Sequence, residues 1–99
     1  MSEPPRRYLV AYDISDDRRR TRIAKCLEGY GDRVQYSVFV VDARPARLVR
    51  LRCRLEDLLD TRCDSVLLCD MGAVGSIDAR RFEFLGRSAE ITPHGPIVL

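Results

Sequence analysis

Asp13 ends the alternating stretch Tyr8, Leu9, Val10, Ala11, Tyr12, and arginines follow it at 18, 19, 20 and 22. A carboxylate at the end of a buried strand is held rigidly and is a hard oxygen donor for a divalent cation. Guanidinium groups stay charged and match the oxygens of a phosphate with paired donors. One fixed acid beside a guanidinium cluster therefore suits chemistry on a phosphodiester. The same acid also suits a simpler task, because Asp after a strand commonly opens a turn or caps the next helix. This stretch alone supports both readings.

Few other side chains offer chemistry. Cys26, Cys53, Cys63 and Cys69 form neither a CxxC pair nor a Cys/His zinc spacing, and they read as small buried thiols. His94, the single histidine, lies between Pro93 and Gly95 in the tail and makes a poor general base. The net charge is only +2, yet the basic residues are sixteen Arg and a single Lys. Phosphate binding and codon composition explain that excess equally well.

The chain must then supply a scaffold. Its 99 residues make one small domain, with 45% apolar and 32% charged residues, as in a soluble globular protein. No apolar run approaches a membrane span and the first residues carry no secretory pattern, so the expected compartment is the cytoplasm. Residues 1–6 read as a flexible lead, 7–87 as the domain and 88–99 as a tail with an apolar end. A strand over 8–14 leads to a helix that runs to about Tyr30, with Ser15 or Asp16 as N-cap and Gly31 as its C′ residue. Ile23, Leu27 and Tyr30 form its core stripe.

Residues 33–42, RVQYSVFVVD, carry four valines and two aromatics, a strong strand signal. Pattern leaves open whether they form one strand or two meeting at Tyr36-Ser37. Pro45 opens a second helix with Leu48, Leu51, Leu55, Leu58 and Leu59 on one face. Residues 64–70 read as a short, mostly buried strand, 71–78 as a loop, and 81–85 as a further strand. If 33–42 splits, the order is βαββαβ: an α+β, ferredoxin-like fold with two helices on one face of an antiparallel sheet. The apolar end at 97–99 calls for an edge or intersubunit partner.

At this point a resemblance becomes specific. YDISDDRRR, then GYGDRVQYSVF, then the Leu/Arg helix and DSVLLC resemble the small CRISPR-associated protein two family over about residues 8–69. The resemblance implies a ferredoxin-like homodimer whose C-terminal strand packs across the subunit boundary, and it favours the split of 33–42. It implies a CRISPR-associated endoribonuclease and a subunit of the spacer-acquisition complex, acting on single-stranded RNA or double-stranded DNA beside a CRISPR integrase subunit. Asp13 matches the family's metal-associated acid and Tyr12 the aromatic before it. Arg20 and Arg22 match its helix-one basic residues, and Arg33, Gln35, Ser37 and Phe39 its R-x-Q-x-S-x-F segment.

Mg²⁺, or another divalent cation such as Mn²⁺, would be the cofactor. It commonly takes one or two carboxylates plus waters, and the chain offers one well-placed acid, so the expected site joins Asp13 from both subunits of a dimer. Arg20, Arg22 and Arg33 would bind phosphates, with Tyr12, Ser37 and Phe39 in support. Phe39 suits either a base or the core. Two other functions stay open: a non-catalytic DNA-binding bridge for the integrase, and a toxin-type RNase on the same fold.

Overall fold

Alternation puts Tyr8, Val10 and Tyr12 on one side of β1 (Arg6–Asp13), and all three are buried. The computed structural model describes residues 3–76 and 81–91. After β1 come α1 (Asp17–Glu28), β2 (Gly31–Gln35), β3 (Val38–Ala43), α2 (Pro45–Leu58) and β4 (Ser65–Ala73). The strands form one antiparallel sheet in the order β2-β3-β1-β4, which is the expected ferredoxin-like arrangement. β1 lies inside the sheet, but its pairing with β3 stops at Ala11, so its last residue, Asp13, pairs only with Ser65 of β4.

The two helices pack on the sheet face that carries Tyr8, Val10, Tyr12, Phe39, Val41 and Ala43, and Ile23, Leu27 and Leu51 are fully buried between the layers. Each such side chain contributes roughly 1.5–3 kcal/mol by leaving water. Asp16 caps α1 by accepting from the Arg19 backbone N–H at 2.9 Å. Pro45 occupies the first turn of α2, where a missing N–H costs nothing. At the other end of α1, Arg47 of α2 donates to the Gly29 carbonyl at 2.9 Å and lies 4.4 Å from the Tyr30 ring. A cation there complements the helix dipole.

The hairpin between β2 and β3 settles the split of 33–42. Its loop is Tyr36-Ser37, and among the described residues no non-glycine has a positive φ. The turn is therefore not one of the primed types that two-residue hairpins favour, which explains the absence of Asn or Gly. The β2–β3 register shifts between Arg33 and Gln35, and a bulge of this kind adds the twist such a turn lacks.

Several expectations need correction. α1 ends at Glu28, with the Gly29 N–H bonded to the Cys26 carbonyl at 3.2 Å, so Gly31 is not its C′ residue. Gly31 starts β2 instead, where a Cβ would come within 2.2 Å of the Val40 carbonyl oxygen. Residues 64–70 are not mostly buried: β4 is an edge strand in which Leu67, Cys69 and Asp70 are exposed and only Val66 and Leu68 reach the core. The strand also continues through Met71–Ala73, expected as loop, where a 3-10 turn over Val74–Ser76 follows. Residues 82–85 form no strand. Phe82 and Phe84 are half-buried and Glu83 exposed, so the alternation records which side packs, without a ladder. Cys26 is buried, but Cys53, Cys63 and Cys69 are exposed. The expected C-terminal strand over 97–99 lies outside the described residues.

The sheet face away from the core cluster carries Leu9, Ala11, Val38 and Val40, with Arg7 and Asp42 facing each other across β1 and β3. Both charged residues are buried, and the guanidinium grips the carboxylate through Nε at 2.7 Å and Nη2 at 2.8 Å.

Candidate functional site

Asp13 is exposed at the C-terminal end of β1, opposite Ser65 of β4. The backbone on either side of it is fixed. Before it, the Tyr12 N–H donates to the Ser37 carbonyl at 3.1 Å, and the buried Tyr12 hydroxyl donates to the Tyr36 carbonyl at 3.2 Å. After it, Arg20 donates to the Ile14 carbonyl at 2.9 Å and the Ser15 carbonyl at 3.3 Å, and pairs with Asp17. Arginines near a strand-end acid thus have an evident local use: they hold the loop that carries the acid.

Arg33 performs the same service for the hairpin. Its Nε and Nη2 donate to the Tyr36 carbonyl at 3.1 and 2.8 Å, and Nη2 also reaches the Tyr12 hydroxyl at 3.1 Å. Its guanidinium carbon lies 5.4 Å from the Phe39 ring and 5.7 Å from the Tyr36 ring, within cation–π range. Arg20 approaches the Tyr36 ring to 6.0 Å. The structure therefore gathers Tyr12, Arg20, Arg33, Ser37 and Phe39 around one turn beside Asp13. Arg22 stands exposed on α1, outside that cluster. Of the two places open to Phe39, it takes the core, being fully buried, with its ring centroid 6.3 Å from that of Tyr12.

Two participants went unnoticed in the sequence. Tyr36, 71% exposed, is the aromatic around which the cluster is built. Its signal was an aromatic at the tip of a hairpin between two expected site residues. The second is the Arg19–Asp64 pair, 45 residues apart, for which sequence carries no signal. Arg19 Nε and Nη2 donate to the Asp64 carboxylate at 2.7 and 3.2 Å, joining the start of α1 to the loop before β4. Asp64 also accepts from the Asp60 N–H at 3.0 Å.

These bonds make the loop sensitive to acid. The Arg19 hydrogen bond, then the Asp60 N–H, holds the Asp64 carboxyl below its ordinary value, and bonds from Arg62 lower Asp60 to about 2. Both groups are depressed in the folded chain. Their contribution is complete above the unfolded carboxylate value, about 3.9, and is lost as pH falls through the folded values. Urea midpoints measured from pH 6 down to pH 2 should fall most steeply below about pH 4. Asp64→Asn should flatten that fall; an unchanged slope would show that the pair contributes nothing.

As a cation ligand, Asp13 fits in type and exposure, since Mg²⁺ prefers carboxylate oxygen and retains waters. Among the described residues no three His, Cys, Asp or Glu side chains come together as a metal cage. Asp13 would itself supply one carboxylate where one or two are usual.

A family model described as CRISPR associated protein Cas2 matches residues 6–75. The chain is 42% identical over 96 residues to a CRISPR-associated endoribonuclease Cas2 of Rhodospirillum rubrum, covering 92% of this chain and 98% of that protein. Among solved structures it resembles Streptococcus pyogenes Cas2, with a TM-score of 0.70, 35% identity and coverage of 81% and 99% of the two chains. It also resembles a chain of a partial Cas6-RT-Cas1–Cas2 complex, with a TM-score of 0.62, 25% identity and coverage of 87% and 97%. No described helix is long and apolar enough to cross a membrane.

Proposed function

The chain belongs to the CRISPR-associated Cas2 family, and from that premise we propose that it serves the spacer-acquisition stage of CRISPR defence as a divalent-metal-dependent endoribonuclease acting as a homodimer. The observation that carries this reading is the exposed Asp13 at the end of an interior strand, with its backbone bound on both sides. The backbone that carries such an acid is already in place when a ligand arrives, so little conformational freedom is lost there on binding. One carboxylate per chain favours two copies meeting so that both Asp13 residues face one phosphate.

A bound Mg²⁺ or Mn²⁺ would offset charge on the phosphate and raise the acidity of an attacking water. The chain's own residues do the positioning. Asp13 would ligate the ion, while Arg20 and Arg33 keep the adjoining loop and hairpin in place. Arg22, exposed on α1, is suited to a flanking phosphate, and Arg33 keeps Nη1 for the same task. Tyr12, Ser37 and Phe39 act by holding Tyr36 and Arg33. Withdrawing divalent ions with EDTA should abolish cleavage of single-stranded RNA, and adding Mg²⁺ should restore it. Cleavage at full rate in EDTA would end the metal-dependent reading.

The likeness to a Cas1–Cas2 complex chain favours a second reading. In it the dimer holds a DNA duplex by its backbone while a Cas1-type integrase performs the chemistry. Integration that proceeds with a preparation unable to cleave RNA at any Mg²⁺ concentration would select this bridge.

A further inference from the structure

The β2–β3 hairpin and residues 85–89 enclose a groove of about 760 Å³, lined by Arg33, Gln35, Tyr36, Ser37, Leu85 and Arg87 among others. We propose that this groove is a subsite for one unpaired nucleotide of single-stranded RNA, its base stacked on Tyr36 and its phosphate met by Arg87. It rests on the RNA-cleaving reading above and adds to it where the strand lies.

Tyr36 is the centre of the site. The residue is 71% exposed, yet its backbone carbonyl accepts from the Tyr12 hydroxyl and from two nitrogens of Arg33. The ring therefore projects from a turn that does not need ordering when a ligand arrives. A large aromatic surface left in water at such cost, on a fixed backbone, suits a base as its cover. Leu85, 89% exposed, supplies a second apolar surface in the same groove. Around these stand Arg33 and Arg87 for a phosphate, and the Gln35 amide with both donor and acceptor for a base edge. An apolar peptide would leave those polar groups without partners.

The chemistry also selects a single strand. Paired bases keep their faces inside the stack and offer only edges, whereas an unpaired base can lay its face on an aromatic ring. The Tyr36 ring can read only the second kind. Arg20, 6.0 Å from the ring, adds positive charge on the side toward α1 and the Asp13 loop. Arg20 thereby links the aromatic of the groove to the loop that follows Asp13.

The test measures binding of the full chain, in EDTA to withhold the proposed metal, to a short fluorescein-labelled oligouridine and to a DNA duplex. Tyr36→Ala should weaken oligouridine binding roughly tenfold with an unchanged salt dependence, and Tyr36→Trp should retain it. Arg87→Ala should lower the magnitude of the salt slope for oligouridine by about 0.7. Duplex binding should be indifferent to Tyr36→Ala. Wild-type oligouridine affinity in Tyr36→Ala, or equal losses on RNA and duplex, would overturn the subsite alone. So would a changed oligomeric state in sedimentation, which would assign Tyr36 to a contact between copies. A wild-type chain that binds no RNA would instead remove the RNA-cleaving reading, and the subsite with it.

Discussion

Asp13→Asn should reduce metal-dependent RNA cleavage by at least roughly a hundredfold, since even indirect partners of a metal ligand are worth ten- to a hundredfold. The amide is nearly the same size, so the strand end, the Tyr12 bonds and the Arg20 bonds should survive. RNA affinity in EDTA should consequently stay near that of the parent chain. Mixing variant and parent chains sharpens the expectation. If two copies of Asp13 share one phosphate, mixed dimers should be impaired as well, and activity should fall faster than the fraction of parent chains. Activity that tracks that fraction linearly would mean each chain carries a whole site. A variant that cleaves at the parent rate would displace Asp13 from the chemistry. One that cleaves nothing yet supports integration fully would identify the duplex-holding bridge as the working role.

Asp42→Ala should cost about 3 kcal/mol of folding stability, the lower end of the cost of orphaning a buried charge. The lower end applies because Asp32 also attracts Arg7. Arg7 is 7% exposed and its guanidinium is raised further above its ordinary value, first by the Asp42 hydrogen bond. Removing the carboxylate leaves that cation buried between β1 and β3. For a domain of this size the loss corresponds to roughly 12–24 °C in melting temperature, against a total stability of about 5–15 kcal/mol. Arg7→Met/Asp42→Leu should recover most of it, because apolar replacement of both partners is often neutral. A denaturant midpoint for Asp42→Ala within error of the parent would show that the pair contributes little.

Legibility from sequence followed the range of each interaction. Periodicity reports which side of an element meets the core, and it located both helices, β1 and the core residues Ile23, Leu27, Leu51 and Leu55. It could not count the neighbours of a strand. That is why the apolar run of β4 looked buried although the strand lies at an edge, and why Phe82 and Phe84 suggested a ladder that does not form. Pattern alone left the turn at Tyr36-Ser37 open because its stabilising bonds come from Tyr12 and Arg33, and turn chemistry is read only from the turn's own residues. For the site, the residues that the resemblance singled out, Tyr12, Arg20, Arg33 and Ser37, lie around one turn. Motif and spacing did not tell arginines that grip backbone from arginines open to a ligand. Arg19, which pairs with Asp64, and Arg22, which stands exposed, sit three residues apart on one helix.

The Tyr36-Ser37 turn has a consequence for how this fold can diversify. Its path is imposed from outside, by donors that bind the carbonyl of residue 36, while the ring separately meets the Arg20 and Arg33 guanidinium groups. Position 36 can therefore exchange one side chain for another while the hairpin keeps its path. A lineage could retune what it touches at this tip by single substitutions while the carbonyl bonds keep the hairpin in place. The same independence offers an engineer a position where recognition can be altered without rebuilding the scaffold.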